Sequence, residues 1–400
     1  MSNILSRNVR WLSELAVSKF QKRDPDLWGF GEWMGNRCCD NSLSLANYIV
    51  ENHPDKKVVW FTKKGADLSL LDPRIDVIEI DSAEADAALK QIGVAVMNQG
   101  KVDFGKDMNL LCNGAVTVQL WHGAPWKKIG MDMIGPESFL RHCYREYIQK
   151  LNRADMHLAL SDDFADILES AFLAKREGII LAGYPRNAIF YDVQRVRAAR
   201  EKVISLLCRE HPVTDQTKII TYMPTFRDKT EEVFSFDKLS DDPRLKQILE
   251  EHDAVIVQKA HFVSYQRNKD ANASCDARIF SLNDVSAQEL LAATDLLITD
   301  YSSCFFDYLL LDRPIIHYIY DYDYYAGEDR GVYYKAEDIV CGDAPKTTDQ
   351  LLDALEANLR APGLRKELRK ERRQKYITYE SADSCEIIYQ QVLARQSVRK

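Results

Sequence analysis

Four stretches of the chain set proton-transferring, cationic or hydroxyl side chains directly after apolar runs. In Leu120-Trp121-His122-Gly123-Ala124-Pro125-Trp126-Lys127-Lys128 the run ends in an imidazole, followed at once by Gly and soon by Pro, so His122 falls where a strand gives way to a loop. Imidazole takes up a proton near neutral pH without large perturbation, which suits a general base. Gly123 lets a substrate approach the backbone, and Lys127 and Lys128 supply positive charge alongside. The ordinary alternative is a histidine hydrogen-bonded in a turn beside two solvated lysines.

The second stretch, Ile256-Val257-Gln258-Lys259-Ala260-His261, ends in a cation and an imidazole two positions apart. The two-residue period of a strand puts Lys259 and His261 on one side, where two donors suit a phosphate or pyrophosphate oxygen. Solvent-facing Lys and His at a strand end would read the same way. The third runs from Leu296 through Thr299-Asp300-Tyr301-Ser302-Ser303 into Phe305-Phe306-Asp307-Tyr308 and reads as strand, tight turn and helix start. Ser302 and Ser303 then lie at a helix N-terminus, where free N–H groups and the positive dipole end favour an anion and where serine also serves as a simple cap. Asp300 would repel a phosphate, so it is expected to orient donors or contact a hydroxyl. In the fourth, Tyr222-Met223-Pro224-Thr225-Phe226-Arg227-Asp228, Arg227 has the fork geometry to clamp an oxyanion; an Arg–Asp surface turn is the plain alternative. Gly183-Tyr184-Pro185-Arg186-Asn187 and the tyrosine-rich region 301–325 are candidates to line the same cleft.

Strand ends of this kind need parallel sheets behind them. Apolar runs at 58–61, 77–80, 94–97, 116–120, 156–160 and 179–181 alternate with helical patterns, and the alternation restarts with runs at 219–222, 254–257, 278–280, 296–298 and 315–318. This predicts two doubly wound α/β domains, over 24–190 and 191–375, with a ligand in the cleft at strand C-terminal ends. Residues 1–23 carry Arg7, Arg10, Lys19, Lys22 and Arg23 against Glu14, interleaved with Val9, Trp11, Leu12, Leu15 and Phe20, and read as a basic amphipathic helix. It is expected either to pack on the body or to press against anionic lipid headgroups. Residues 360–375 hold a second basic run, either a solvated helix face or a further contact with a membrane or polyanion. The stretch 376–400 is read as a helix that packs back on the N-terminal domain.

Composition narrows the function. With 53 basic and 61 acidic residues the chain is at −8, against the broadly basic face of a dedicated nucleic-acid binder. Nine scattered cysteines without a C-x-x-C suit a reducing cytosol. No stretch of about 18 apolar residues predicts a spanning helix, and no apolar leader opens the sequence. The absence of a phosphate-loop motif, a dinucleotide G-x-G-x-x-G, H-E-x-x-H and G-x-S-x-G lowers the standing of ATPases, standard dinucleotide oxidoreductases, zincins and α/β-hydrolases.

Trp121-His122-Gly123-Ala124-Pro125-Trp126-Lys127-Lys128-Ile129-Gly130 resembles the W-H-G-T-P-L-K-K-I-G block of the CDP-glycerol glycerophosphotransferases, which include teichoic-acid primases and polymerases and relatives that build capsules. The resemblance continues through Gly183–Asn187, Tyr222–Asp228, Lys259-Ala260-His261, Thr299–Ser303, Phe305–Tyr308, Arg313–Ile316 and Arg330–Tyr333, with a weaker match from Phe30-Gly31-Glu32-Trp33 to Asp40-Asn41. Ala124, Trp126 and Phe262 depart from the family pattern and bear on substrate identity more than on reaction type. The resemblance implies a GT-B fold of two Rossmann-like domains facing across a cleft, with the acceptor on the N-terminal one and the nucleotide on the C-terminal one. It implies an enzyme on the cytoplasmic face of a bacterial membrane. The expected catalytic pair is His122 and His261; substrate binding is expected of Gly123, Lys127, Arg186, Thr225, Arg227, Lys259, Thr299, Asp300, Ser302 and Ser303. The donor is CDP-glycerol or CDP-ribitol, the acceptor a polyol phosphate or lipid-linked glycan, and no cofactor is expected, with metal dispensable. The alternatives are a GT-B glycosyltransferase using a nucleotide sugar and a non-catalytic membrane-associated nucleotide-binding protein.

Overall fold

The computed structural model describes residues 2–133, 139–208, 213–225, 234–259, 278–283, 285–325 and 331–399. They form two units: the first comprises Met1–Ala124, Gly130–Ala188 and Tyr379–Lys400, the second Pro125–Ile129 and Ile189–Thr378.

In the first unit α1 (Ser2–Lys19) precedes β1 (Asp24–Gly31), α2 (Asn41–Asn52), β2 (Lys57–Thr62), β3 (Asp76–Glu79), α3 (Ala83–Gln91), β4 (Ile92–Met97), β5 (Val116–Gln119), α4 (Phe139–Asn152), β6 (Met156–Ala159), α5 (Asp162–Phe172) and β7 (Ile179–Leu181). The strands make one parallel sheet in the order β3-β2-β1-β4-β5-β6-β7. The order reverses at β1/β4, the place where open α/β sheets bind ligands beyond their strand C-termini. The apolar runs account for every strand except β1, whose Asp-Pro-Asp-Leu-Trp-Gly-Phe-Gly carries residues that ordinarily argue against an inner strand. The glycines are there because neighbours close in: a Cβ on Gly29 would lie 2.9 Å from both Ile92 and Phe61, and one on Gly31 2.8 Å from the Asp103 carbonyl oxygen. Trp28 and Phe30, which alternate with them, are fully buried.

The second unit holds α6 (Val193–Leu207), β8 (Lys218–Met223), α7 (Pro243–Glu251), β9 (Ala254–Gln258), β10 (Ile279–Ser281), α8 (Ala287–Ala293), β11 (Leu296–Thr299), α9 (Cys304–Tyr308), β12 (Ile315–His317), α10 (Thr348–Arg360) and α11 (Lys366–Tyr376). Its parallel sheet runs β10-β9-β8-β11-β12, reversing at β8/β11. Ile220, Ile256, Ile298 and Ile316 from adjacent strands pack against Leu245, Leu249, Leu351 and Leu355 of α7 and α10.

The domain limits differ from those read in the sequence at one place, Pro125–Ile129, while the C-terminal helix falls with the first unit as read. Pro125–Ile129 belongs to the second unit: Lys127 forms an antiparallel bridge with Val332, Lys128 N donates to Gly331 O (3.0 Å) and Tyr333 N to Trp126 O (2.9 Å). The chain then returns to the first unit. At the other end, α12 (Ser384–Arg399) and the segment before it belong to the first unit, where Tyr379 N donates to Leu160 O (3.0 Å) and Tyr48 Oη to Glu386 (2.8 Å).

Helix α1 turns Arg7, Arg10 and Glu14 toward the body of the unit and leaves Lys19 exposed. Trp11 is buried with Met108 and Leu110, Arg10 contacts Asp107, Glu14 accepts from Leu110 N (3.0 Å), and Arg7 donates to Tyr144 Oη (2.8 Å). Val9, Leu12, Val17 and Phe20 are left on the solvent side, Phe20 at 86% exposure. In the basic run 360–375, Arg369 is buried on Leu364 O (2.6 Å) and Asp312 (3.3 Å), and Arg372 donates to Glu337 O (3.0 Å), so these two are structural.

Candidate functional site

In the first unit the exposed imidazole of His122 follows β5 by way of Trp121, which is buried and held at φ 63°. A bulky residue in the left-handed region costs about 1–3 kcal/mol and persists only where its surroundings over-determine it. Here the surroundings are two long-range anchors: Asn41 Nδ2 donates to Trp121 O (2.9 Å) and Arg186 Nη1 to His122 O (3.0 Å). Arg186 Nη1 also meets Asp40 Oδ1 at 2.7 Å, and the side chains of this ion pair are 9% and 6% exposed. Asp40 caps α2 through Asn41 N (2.8 Å) and accepts from Trp33 Nε1 (3.1 Å), whose ring centroid lies 5.6 Å from that of His122.

The Trp33 turn leaves β1 and is itself strained, with Trp33 at φ 48° and Met34 at φ 54°. Trp33 N donates to Gln99 Oε1 (2.6 Å) and Met34 N to Asp103 Oδ1 (2.8 Å). The other Asp103 oxygen takes the N–H groups of Asn98 (2.9 Å) and Gln99 (2.8 Å) at the end of β4. Burial pushes the Asp103 carboxyl up to about 6. Glu32 is buried beneath the turn, accepting from Cys39 N and from Asp40 N (2.9 Å); burial, reinforced by the charge of Asp40, holds its carboxyl well above the usual range.

Arg186 is aimed by the C-terminal segment. Gly183 N donates to Ser384 Oγ (3.1 Å), Tyr184 N to Glu380 Oε1 (2.9 Å) and Asn187 Nδ2 to the same oxygen (2.7 Å). A Cβ on Gly183 would lie 2.2 Å from Glu380 Oε2, so only glycine leaves room for this carboxylate.

In the second unit the exits of β8 and β11, at the reversal point, are tied together. The buried Asp300 carboxylate accepts from Thr225 N (2.8 Å) and Tyr301 N (2.6 Å), and Thr299 Oγ1 donates to Met223 O (2.7 Å). Ser302 and Ser303 follow, half-buried, and the Ser303 side chain does not cap the short α9. Lys259 Nζ donates to Asn283 O (2.9 Å) and Val285 O (2.6 Å), which ties down the loop after β10. Lys127 Nζ stands 5.9 Å from the ring centroid of Tyr325, which stacks on Tyr301 at 3.7 Å. Trp126, buried, packs on Tyr301 (5.3 Å) and donates to Tyr334 O (2.9 Å). His317 accepts from Cys341 N (3.1 Å), and burial pulls its imidazole down to about 4, so it is neutral at pH 7.

Of the residues singled out in the sequence, His122, Gly123 and Arg186 thus fall in the first unit; Lys127, Thr225, Lys259, Thr299, Asp300, Ser302 and Ser303 fall in the second. Arg227 and His261 lie outside the described residues. Among the described residues no group of three or more His, Cys, Asp or Glu is placed to hold a metal ion. Sequence reasoning missed Asp40, Asn41, Asp103 and Glu380 as supports of the His122 turn, and the weak Phe30–Asn41 resemblance was the one signal touching some of them.

A family model for CDP-glycerol:poly(glycerophosphate) glycerophosphotransferase matches residues 15–394. The chain belongs to this family. Among relatives of the glycerophosphotransferases, it is 29% identical over 336 residues to the teichoic acid glycerol-phosphate transferase of Staphylococcus aureus, covering 82% of each. It is 27% identical over 333 residues to the teichoic acid poly(glycerol phosphate) polymerase of Bacillus subtilis, covering 82% of this chain but 43% of that one. The solved wall teichoic acid polymerase TagF superposes with a TM-score of 0.77 at 21% identity over 100% of this chain and 99% of that one, which shows that the two share a fold.

Proposed function

We propose that the chain transfers glycerol phosphate from CDP-glycerol to a polyol hydroxyl on a teichoic-acid-type or capsule acceptor, with release of CMP. The observation that carries the reading is an exposed imidazole on a strained, doubly anchored turn at the end of β5, in a chain of the glycerophosphotransferase family. His122 takes the proton of the attacking hydroxyl as its oxygen bonds to the β-phosphorus. The bond from that phosphorus to the bridging oxygen breaks, and its electron pair leaves with CMP. Such a reaction needs positioning and charge stabilisation more than covalent chemistry. Those tasks fall to the Thr225–Asp300–Ser302–Ser303 corner with Lys127, and to Arg227 and His261. Lys259 and Arg186 serve the same reaction from further back, since their cationic groups are engaged with Asn283 and Val285 carbonyls and with Asp40.

No described helix is long and apolar enough to cross a membrane. The outward Val9–Leu12–Val17–Phe20 stripe of α1, flanked by Lys19 and Lys22, fits peripheral docking on the anionic inner face of a bacterial membrane, where the acceptor is presented.

Incubating the purified protein with a short acceptor and, separately, CDP-glycerol, CDP-ribitol and a UDP-sugar tests the reading. CMP release and product growth with a CDP-alditol are expected. UDP release from the sugar donor with CDP-alditols ignored, or nucleotide binding without turnover, would overturn it.

A further inference from the structure

We infer that Asp40 is the positioning residue of the base, acting on His122 by two separate routes. The inference rests on the reading of His122 as that base. One carboxylate oxygen engages Arg186 (2.7 Å), whose same nitrogen holds the His122 carbonyl (3.0 Å). The other accepts the indole N–H of Trp33 (3.1 Å), the ring set 5.6 Å from the imidazole. The first route fixes the backbone on which the side chain stands, and the second fixes the ring beside it. Asn41, the next residue, anchors the strained Trp121 (2.9 Å), and Asp40 in turn fixes Asn41 N (2.8 Å).

Net stability does not explain such an arrangement. Two charges taken out of water gain little over an apolar pair of equal volume, whereas their directionality fixes geometry. Asp40 is buried and half-encircled by donors, and Glu32 beneath it is pushed toward its neutral form by burial and by the Asp40 charge. Asp40 thus stands under a turn whose backbone is strained at Trp33, Met34 and Trp121. Outer partners of metal-ligating side chains, likewise one step removed from the reacting atoms, change activity about 10–100-fold when replaced, and the same scale is taken for Asp40.

Asp40→Asn preserves size but removes the charge and turns one acceptor into a donor, so at least one of the links to Arg186, Asn41 and Trp33 is lost. A double-mutant cycle tests the inference: turnover of wild type, Asp40→Asn, His122→Ala and the double variant, each checked for native circular dichroism. Asp40→Asn is expected to lower kcat about 10–100-fold with the KM for CDP-glycerol within about 2-fold, and the double variant is expected to be no slower than His122→Ala, since the two act as one unit. Trp33→Phe, which keeps an aromatic ring but removes the indole N–H together with the fused ring, gives the same test if Asp40→Asn fails to fold: a several-fold loss of kcat that vanishes in the His122→Ala background. A double variant slower than His122→Ala by the whole single-variant factor, a loss confined to KM, or wild-type kcat in the folded single variants would overturn the positioning role. Near-normal turnover of His122→Ala would instead overturn the base assignment itself, which separates the two failures.

Discussion

The turn that carries His122 and the corner that carries Thr225 and Asp300 both stand at strand C-termini of a parallel sheet, the first after β5, one strand from the β1/β4 reversal, the second at the β8/β11 reversal, and they are held by different means. The His122 turn depends on side chains from remote segments: Asp40 and Asn41 before α2, Arg186 after β7, and behind Arg186 the Glu380 carboxylate near the C-terminus. The Asp300 corner depends on one carboxylate that binds the N–H groups of its own neighbour and of Thr225 on the adjoining strand end. A base must present its imidazole in one orientation to a moving proton, and a network of directional charged contacts supplies that. The Asp300 corner holds two strand ends in fixed relation, its carboxylate taking the N–H groups of Thr225 and Tyr301.

This difference makes the first unit the more fragile under single substitutions. Arg186→Ala leaves Asp40 buried without its cation and should cost about 3–5 kcal/mol, read as a lowered denaturant midpoint, with Arg186→Lys losing less. If Arg186→Ala unfolds at the wild-type midpoint, the ion pair is not what fixes the turn.

Each unit also buries a neutral histidine: His157 of β6, stacked on Trp121 at 6.3 Å, and His317 of β12, both brought down to about 4 by burial. An unfolded histidine takes its proton near 6.5 and the folded ones only near 4, so the unfolded state binds more protons in that window. The two histidines should therefore contribute their full share of stability above pH 6.5 and lose it as pH drops toward 4, by on the order of 3 kcal/mol each, while the raised carboxyl of Asp103 acts in the opposite sense over the same window. Urea midpoints at pH 7 and pH 4.5 check this. His157→Phe should flatten the pH slope by its share while His317 maintains the rest, and an unchanged slope would remove His157 from the account.

Asp300→Asn should be milder than Arg186→Ala, about 1–3 kcal/mol for the disturbed N–H acceptors, with a raised KM for the CDP-alditol in steady-state assays. On the periphery, replacing Val9, Leu12 and Phe20 by Ser should shift stability by under about 0.5 kcal/mol while reducing sedimentation with anionic vesicles. Equal sedimentation of variant and wild type would take α1 out of membrane docking. A chelator is expected to leave turnover unchanged.

Much of this architecture is legible in the sequence where the signal is local. The apolar runs mark β2 to β12, and the position of His122, Thr225 and Asp300 after such runs places them at strand C-termini. β1 escapes because Gly29 and Gly31 are dictated by the close approach of Ile92, Phe61 and Asp103, contacts that only the folded sheet creates. Among the supports of His122, Asp40 and Glu380 escape for the same reason, looking like ordinary surface charges until the fold brings them together, whereas Arg186, expected to bind substrate, engages Asp40 and the His122 carbonyl. The strap Pro125–Ile129 reads as part of the first domain because it follows β5 directly, and only its pairing with Val332 and the burial of Trp126 reveal where it belongs. In α1 the apolar positions are plain, but which of them face outward is decided by Asp107 and Lys106, whose pairing with Arg10 and Glu14 turns those two charges inward.

The most direct measurement is the turnover of His122→Ala beside its affinity for CDP-glycerol determined by calorimetry. A lost general base should lower CMP release about 10²–10⁴-fold with donor affinity close to that of wild type. Near-normal CMP release from His122→Ala, or a loss accounted for wholly by weaker donor binding, would contradict the role given to this imidazole.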